Sequence, residues 1–456
     1  MSTAALRSFE EQWRARAPDA LSGLRERALR RFLQLGLPTS HDESWRYTSL
    51  RPLAAQSFVD APGAAAPGAA APGVDTPRAA AGGFDRRQAL ALDAAQALLG
   101  GRVDAEKHAI VLVNGYPLAP PASEPGAEIR ALRALAREQP DLVVRHLEPL
   151  SDAEELRWLL LNTALGVDGV HIKIKSALAT PLLILHVGTA DRPGTVAYPK
   201  VIVEAAAGAA GTIIEHHIQH GAAAPLSNSA TLLALGRDAR IEHYRVFAAG
   251  EQAVHFDTLQ VRLERNAECR QFTVALGGGL VRTSLDARLS GPGAKLDSRA
   301  LLVGHADRHV DCVNVVRHAA ARTVSRQTAR AIASGTSRVI FNSKVVVDAG
   351  ASQSDSQQSC RGLLLSPSAE IDSRPQLEIH TDEVKCAHGA TTGRLDPNML
   401  FYMLSRGLDR DTAQSLLVYA FLADVLTGMS VPSARNAIEN ALIPQLPDSQ
   451  VLRKFR

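Results

Sequence analysis

Between about Gly169 and Ile379 the chain is a succession of short apolar or alternating runs with almost no helical periodicity. VHIKI, LLILHV, KVIVEA, GTIIEHH, TLLAL, ARIEHYRVF and HFDTLQVRL follow one another, and CRQFTVAL, SLDARL, LDSRALLV, SRVIFNSKVVV, GLLLS and AEIDSRPQLEI extend the series, with small turn residues between them. Alternation of this kind marks strands. Ala-x-apolar starts recur after turns at Ala239-Arg240-Ile241, Ala267-Glu268-Cys269, Ala294-Lys295-Leu296 and Ala369-Glu370-Ile371, the first three about 27 to 28 residues apart. A strand series this long with small corner residues predicts a solenoid or β-helix, in which each coil buries its face by stacking on the next. A β-sandwich competes but accommodates so many strands less naturally.

Helical patterns flank this region, which gives a division into 1–165, 166–381 and 382–456. Ala4 to Ala17 and Asp19 to Leu35 carry apolar residues at helical spacing, and Gly36 and Pro38 stop the second helix. Residues 61–83 repeat Pro-Gly every five residues among alanines, a composition too poor in large apolar groups to fix itself, and are expected to form a flexible segment. A helix is expected from Arg86 to Leu99, a strand ending in an Asn-Gly turn at His108–Gly115, and a helix over Asp152–Ala164. In the tail, Asp396 reads as an N-cap with Pro397 at N1 and Gly407 as the stop. Further helices are expected over Asp411–Leu426 and from Ser433 to Pro444.

The chain has 456 residues, a formal net charge of +3 and four cysteines. Its charges are interspersed, which argues against a nucleic-acid surface; the basic run Arg25–Arg31 reads as a solvated helix face. No run of about 18 apolar residues exists, so no membrane span is expected. With no secretory leader pattern and widely spaced cysteines, the expectation is a cytoplasmic protein with reduced thiols.

The chemistry concentrates at Cys386 and His388, within LEIHTDEVKCAHGATTGRLDPNMLFYMLSRGL. If the segment is extended, residues two apart share a face. A thiolate and an imidazole are both ligands for borderline metal ions, but two ligands do not close a site. In EHHIQHG, His216 and His220 share a strand face while His217 points away. They stand too far apart for one ion, so a structural or surface role is expected. No phosphate loop, dinucleotide fingerprint, GxSxG, HExxH or CxxC occurs, and nothing reads as an active site. Asp286, Asp297 and Asp311 are the carboxylates available to a carbohydrate-acting β-helix, without aromatic platforms to accompany them.

The long C-terminal segment resembles the signature of the SufB/SufD family of iron–sulfur cluster assembly proteins. ESWRYTSL (Glu43–Leu50), SGTSRVIFNSKVVV (Ser334–Val347) and QQSCRGLLLS (Gln357–Ser366) resemble further elements of it, so the likeness covers nearly the whole chain outside the Ala/Pro/Gly segment. The HGAT run (His388–Thr391) and the helical N-terminal region are similar to the SufD side of the family. The resemblance implies a mainly β protein, a right-handed parallel β-helix flanked by N-terminal and C-terminal helical domains. It implies a non-catalytic scaffold that pairs with SufB and docks the SufC ATPase. His388 and Cys386 would face a transient iron–sulfur cluster at the SufB interface, with no cofactor held tightly by the isolated chain. The SufC-docking element would span Asp396, Leu400, Tyr402, Ser405, Arg406, Leu417 and Phe421. The other reading is a structural module that stabilises SufB and recruits SufC without touching the cluster. An open β-helix edge also makes a homodimer of the isolated chain plausible.

Overall fold

A computed structural model describes residues 3–61, 109–118, 123–147, 156–189, 193–220, 225–248 and 250–443. The 62–83 part of the Ala/Pro/Gly segment, the Arg86–Leu99 helix and the residues from Pro444 onward lie outside these. Successive strands alternate between two long sheets, and from Ala210 to Gly393 the strands pair in parallel with those of the neighbouring coils. The result is a β-solenoid of about seven turns with helices at both ends of the chain. One sheet runs through Leu226–Leu235, Val254–Leu263, Leu280–Leu289, His309–His318 and Arg338–Val347 to Glu370–Ile379. The other runs through Leu182–Thr189, Ala210–His220, Arg240–Ala248, Glu268–Ala275, Lys295–Gly304, Val324–Ala333 and Ser354–Leu364 to Val384–Gly393.

The Ala-x-apolar starts are this register. Ile241 pairs with Cys269 and Cys269 with Leu296, all fully buried in one aliphatic stack with Ala239, Ala267 and Ala294 at the corners. The fourth start differs: Ile371 pairs with Val339 in the opposite sheet. Corners leading into strands of the second sheet turn through one left-handed residue just before the ladder. Asp238, Asn266, Gly293, Arg322 and Gln353 take φ between 54° and 76°. For side chains other than glycine this conformation costs about 1–2 kcal/mol. It is offset because the corner N–H groups bond to the next coil: Asp238 to Arg265 O, Asn266 to Pro292 O, Arg322 to Ser352 O.

Solenoid pairing does not respect the expected boundaries. Ala109–Val113 pairs in parallel with Leu182–Thr189, and Ala127–Ala131 antiparallel with Val170–Ile174, so strands begin inside the 1–165 region. At the other end Val384–Gly393 is a full strand on Ser354–Leu364, so the change from strand to helix falls between Gly393 and Pro397 rather than at 381.

The helices Ala4–Arg14, Ser22–Leu35 and Arg157–Leu165 pack on the outer face of the first sheet. ESWRYTSL clamps them there. Buried Trp45 lies beneath the Arg282 guanidinium, 3.6 Å from its ring centroid, and Trp158 stacks on Phe256 at 3.8 Å. Arg282 is ion-paired with Asp311, which also accepts from Thr48 Oγ1; Glu43 pairs with Arg374 on the last coil. Arg25 departs from its surface reading. It is buried, paired with Asp19 at 3.4 Å, and donates to Gly166 O at 2.8 Å. Asp286 and Asp311 lie on one sheet and Asp297 on the other, each already partnered by Gln260, Arg282 and Arg299 respectively. They do not form one cleft.

The helix Arg410–Leu426 covers the outer face of the second sheet, where Val418, Leu422 and Val425 pack among Tyr244, Val246 and Phe272. Among the described residues, no helix is long and apolar enough to cross a membrane.

Since burial of stacked aliphatics holds the coils together, Leu296→Ala is expected to lower unfolding stability by about 2–5 kcal/mol in a denaturant titration. Lys295→Ala beside it loses only an exposed pair with Glu268 and should cost about 0–1 kcal/mol.

Candidate functional site

Cys386 and His388 sit on the terminal strand, Val384–Gly393. Their register partners, Ser356 and Gln358, are buried in the solenoid interior, so both side chains share the inward-facing parity and cap the open end of that interior. Cys386 is half-buried against the aliphatic stack, while His388 is exposed. Beneath them, Gln358 donates to Ser343 Oγ at 2.7 Å, and Cys360 Sγ lies 3.1 Å from Ser373 Oγ. Among the described residues, no strand pairs with the outer edge of Val384–Gly393 or of Glu370–Ile379. The groupings of three or more metal-donor side chains also leave out Cys386 and His388. This pair places two donors over the open end of the solenoid, beside an unpaired edge.

Burial pushes the Cys386 thiol above its ordinary value; Asp355 adds to this, and a hydrogen bond from the Ser356 backbone opposes it. The thiol is therefore protonated at neutral pH, and metal capture through it releases a proton. Cys269 and Cys312 are fully buried and pushed up to about 12.

The expected docking residues fall into two groups. Asp396 caps the helix Pro397–Ser405 by accepting from Asn398 N at 2.8 Å, and Gly407 follows the helix at φ 90°. No residue of that helix is buried. Tyr402 is 58% exposed; Arg406 stacks on it and donates to its hydroxyl, and Ser405 donates to its carbonyl. Leu400 is half-buried. Leu417 and Phe421 are half-buried on the following helix, Phe421 beneath Arg330. Sequence reasoning passed over Met399 (55% exposed) and Phe401 (72% exposed), which stand with Tyr402 as the large apolar exposures of the same helix. Their signal was present: an apolar run, MLFYML, too long for one buried helical stripe.

A second constellation lies inside the early coils. His217 does point away from His216, as expected, but inward to a buried position. It stacks on its register partner His186 at 4.1 Å and on Phe247 at 4.6 Å. Glu215 accepts from Thr231 and lies 2.8 Å from His186 Nε2 and 2.7 Å from His243 Nε2. The surface alternative for His217 is thus overturned: register stacks it between coils whose side chains are far apart in sequence.

The geometry defines a class, a β-solenoid with a Cys-x-His pair on its open terminal coil. A family model for the SufBD core domain of the SUF iron–sulfur cluster assembly system matches residues 186–421, and the chain belongs to that family. It is 27% identical over 443 residues to the iron–sulfur cluster assembly protein SufD of Escherichia coli, covering 96% of this chain and 95% of that one. It is also 26% identical over 426 residues to a SufBD family protein of Synechocystis, covering 90% of this chain and 87% of that one. A segment of 154 residues is 28% identical to SufD of Bacillus subtilis, spanning 34% of this chain and 35% of that one.

Under native conditions iodoacetamide is expected to modify Cys386 first. Its rate should climb at a higher pH than that of a free cysteine, because the raised pKa keeps the thiolate fraction small near pH 7. Peptide mapping that found Cys269, Cys312 or Cys360 modified first would contradict the placement of these thiols.

Proposed function

We propose that this chain is a non-catalytic scaffold for iron–sulfur cluster assembly whose Cys386–His388 pair is half of a site completed by a SufB subunit. The observation that carries this reading is the placement of two metal donors, on one face, at an unpaired parallel edge. A second solenoid that adds its own terminal strand satisfies the exposed backbone groups and brings the missing ligands. The cluster is cargo rather than a resident cofactor, and a neutral imidazole suits that role because it releases iron more readily than a thiolate does. The same edge allows the isolated chain to pair with itself. We assign the coil a right-handed sense, the near-universal hand of parallel crossovers.

The C-terminal helices are the proposed dock for the SufC ATPase. Phe401 lines a groove of about 740 Å³ together with Leu365, Leu395, Leu400 and Leu404, and Met399 and Tyr402 are exposed on the same helix. The adjoining helix Arg410–Leu426 is packed directly on the solenoid, so movement of the dock is carried to the coils beneath.

Co-purification with SufB and SufC followed by cluster spectroscopy tests the first part. His388→Ala should leave the complex assembled yet lower reconstituted cluster by at least the about 10–100-fold that loss of even an outer-shell partner costs. Full cluster build-up in the Cys386→Ala/His388→Ala double variant would instead support a module that only stabilises SufB and recruits SufC. For the dock, Phe401→Asp should abolish SufC capture while changing stability by no more than about 0.5 kcal/mol, since the ring is exposed.

A further inference from the structure

We propose that the interior of the early coils holds a divalent transition-metal site centred on His217, with His186 and His255 as its other imidazole ligands. This site is separate from the Cys386–His388 pair. Five strands of the same sheet intervene between Ala210–His220 and Val384–Gly393, a separation of roughly 30 Å at the usual strand spacing.

Three observations carry it. First, donor atoms converge. His186, Glu215 and His217 each place a donor within 4.8 Å of the others, and so do His217, His255 and Asp257, making His217 the shared member. Ligands of one ion at about 2.0–2.1 Å stand at most about 4.2 Å apart; His186 and His255 each reach His217 in separate groupings, so binding requires their imidazoles to turn toward each other around it. Second, the lone pairs are available. Ser229 gives its one hydroxyl proton to Asp257 Oδ1 at 2.5 Å, so His255 Nε2, 2.9 Å from that hydroxyl, is the donor and Nδ1 keeps the lone pair. Glu215 likewise holds His186 by Nε2–H, and His186 Nδ1 is buried without a hydrogen-bond partner. A carboxylate fixing one imidazole nitrogen while the other carries the lone pair is the usual outer-shell support of a histidine ligand. Third, His217 is 4% exposed, with both ring nitrogens buried and unpartnered. Each such atom left unmet costs about 1–3 kcal/mol.

The space is enough for an ion or a single water. His186, His217 and His255 line one cavity of about 20 Å³, where a single water or ion needs roughly 10–15 Å³. A set of imidazoles with flanking carboxylates selects ions such as Zn²⁺, Fe²⁺ or Co²⁺ over Mg²⁺ and Ca²⁺. The other histidine grouping, His146, His171 and Glu204, is a weaker candidate. It is only partly buried, and Lys173 stands 3.8 Å from its carboxylate.

The test uses the full chain, stripped with a chelator and titrated with Co²⁺. One ion per chain is expected, with visible d–d bands, no thiolate charge-transfer band, and a rise in melting temperature. His217→Phe keeps the ring stack between His186 and Phe247 and should weaken uptake by at least about 100-fold. His146→Ala should leave it unchanged. No saturable uptake, equal uptake by His217→Phe, loss in His146→Ala, or a thiolate band would each overturn the proposal. If His217→Phe does not fold, X-ray absorption of the Co²⁺-loaded chain decides. Two or more imidazoles without sulfur, retained in His146→Ala, uphold it; a sulfur ligand or a shell of water oxygens sinks it.

Discussion

Everything in this molecule depends on the parallel backbone ladder between successive coils. From Leu182 onward a strand finds its ladder partners in the neighbouring coils. Each coil is therefore incomplete alone, and the side chains it stacks are in register by construction. Ile241, Cys269 and Leu296 form a continuous apolar seam for this reason, and His186 and His217 stack for the same reason. The ladder also has to stop. Where it stops, at Val384–Gly393, a full row of backbone groups is left without a strand partner among the described residues, and that is where Cys386 and His388 are displayed. The fold's weakness as a closed object and its display of two metal donors are one property.

The interior is not uniformly apolar. The aliphatic stack occupies one side of each coil, and a polar strip of His186, Glu215, His217, His243, Arg245 and Asp257 occupies the other in the early coils. Burying charged groups is costly, and a pair such as Arg245–Asp257 is held by mutual hydrogen bonding rather than by net gain over an apolar substitute. Its value lies in specificity. A one-residue slip would point these groups outward and leave them unpaired.

Strand content, corner spacing and the shared face of Cys386 and His388 were legible because they are local: alternation and parity are read from neighbours. The capped helix at Asp396 was legible for the same reason. The last strand was not placed within the solenoid region because AHGATTG is poor in strand-forming residues; it is held extended by pairing with Ser354–Leu364. Arg25 was misjudged because its environment is Gly166, far along the chain. The inward histidine cluster was invisible for a further reason. Its members come from strands of several coils, and only the register, which no single segment encodes, brings them together.

The ESWRYTSL clamp has a mechanical consequence. A coil stack held only by nearest-neighbour ladders unzips from its free end, like a spring losing turns. Here Trp45 and Thr48 grip the middle turns at Arg282 and Asp311, while Glu43 reaches Arg374 on the final one. The N-terminal module thus acts as a splint across the outside of the stack. The terminal turn is open along its edge yet braced along its length, so its unpaired strand is held firm rather than left to fray.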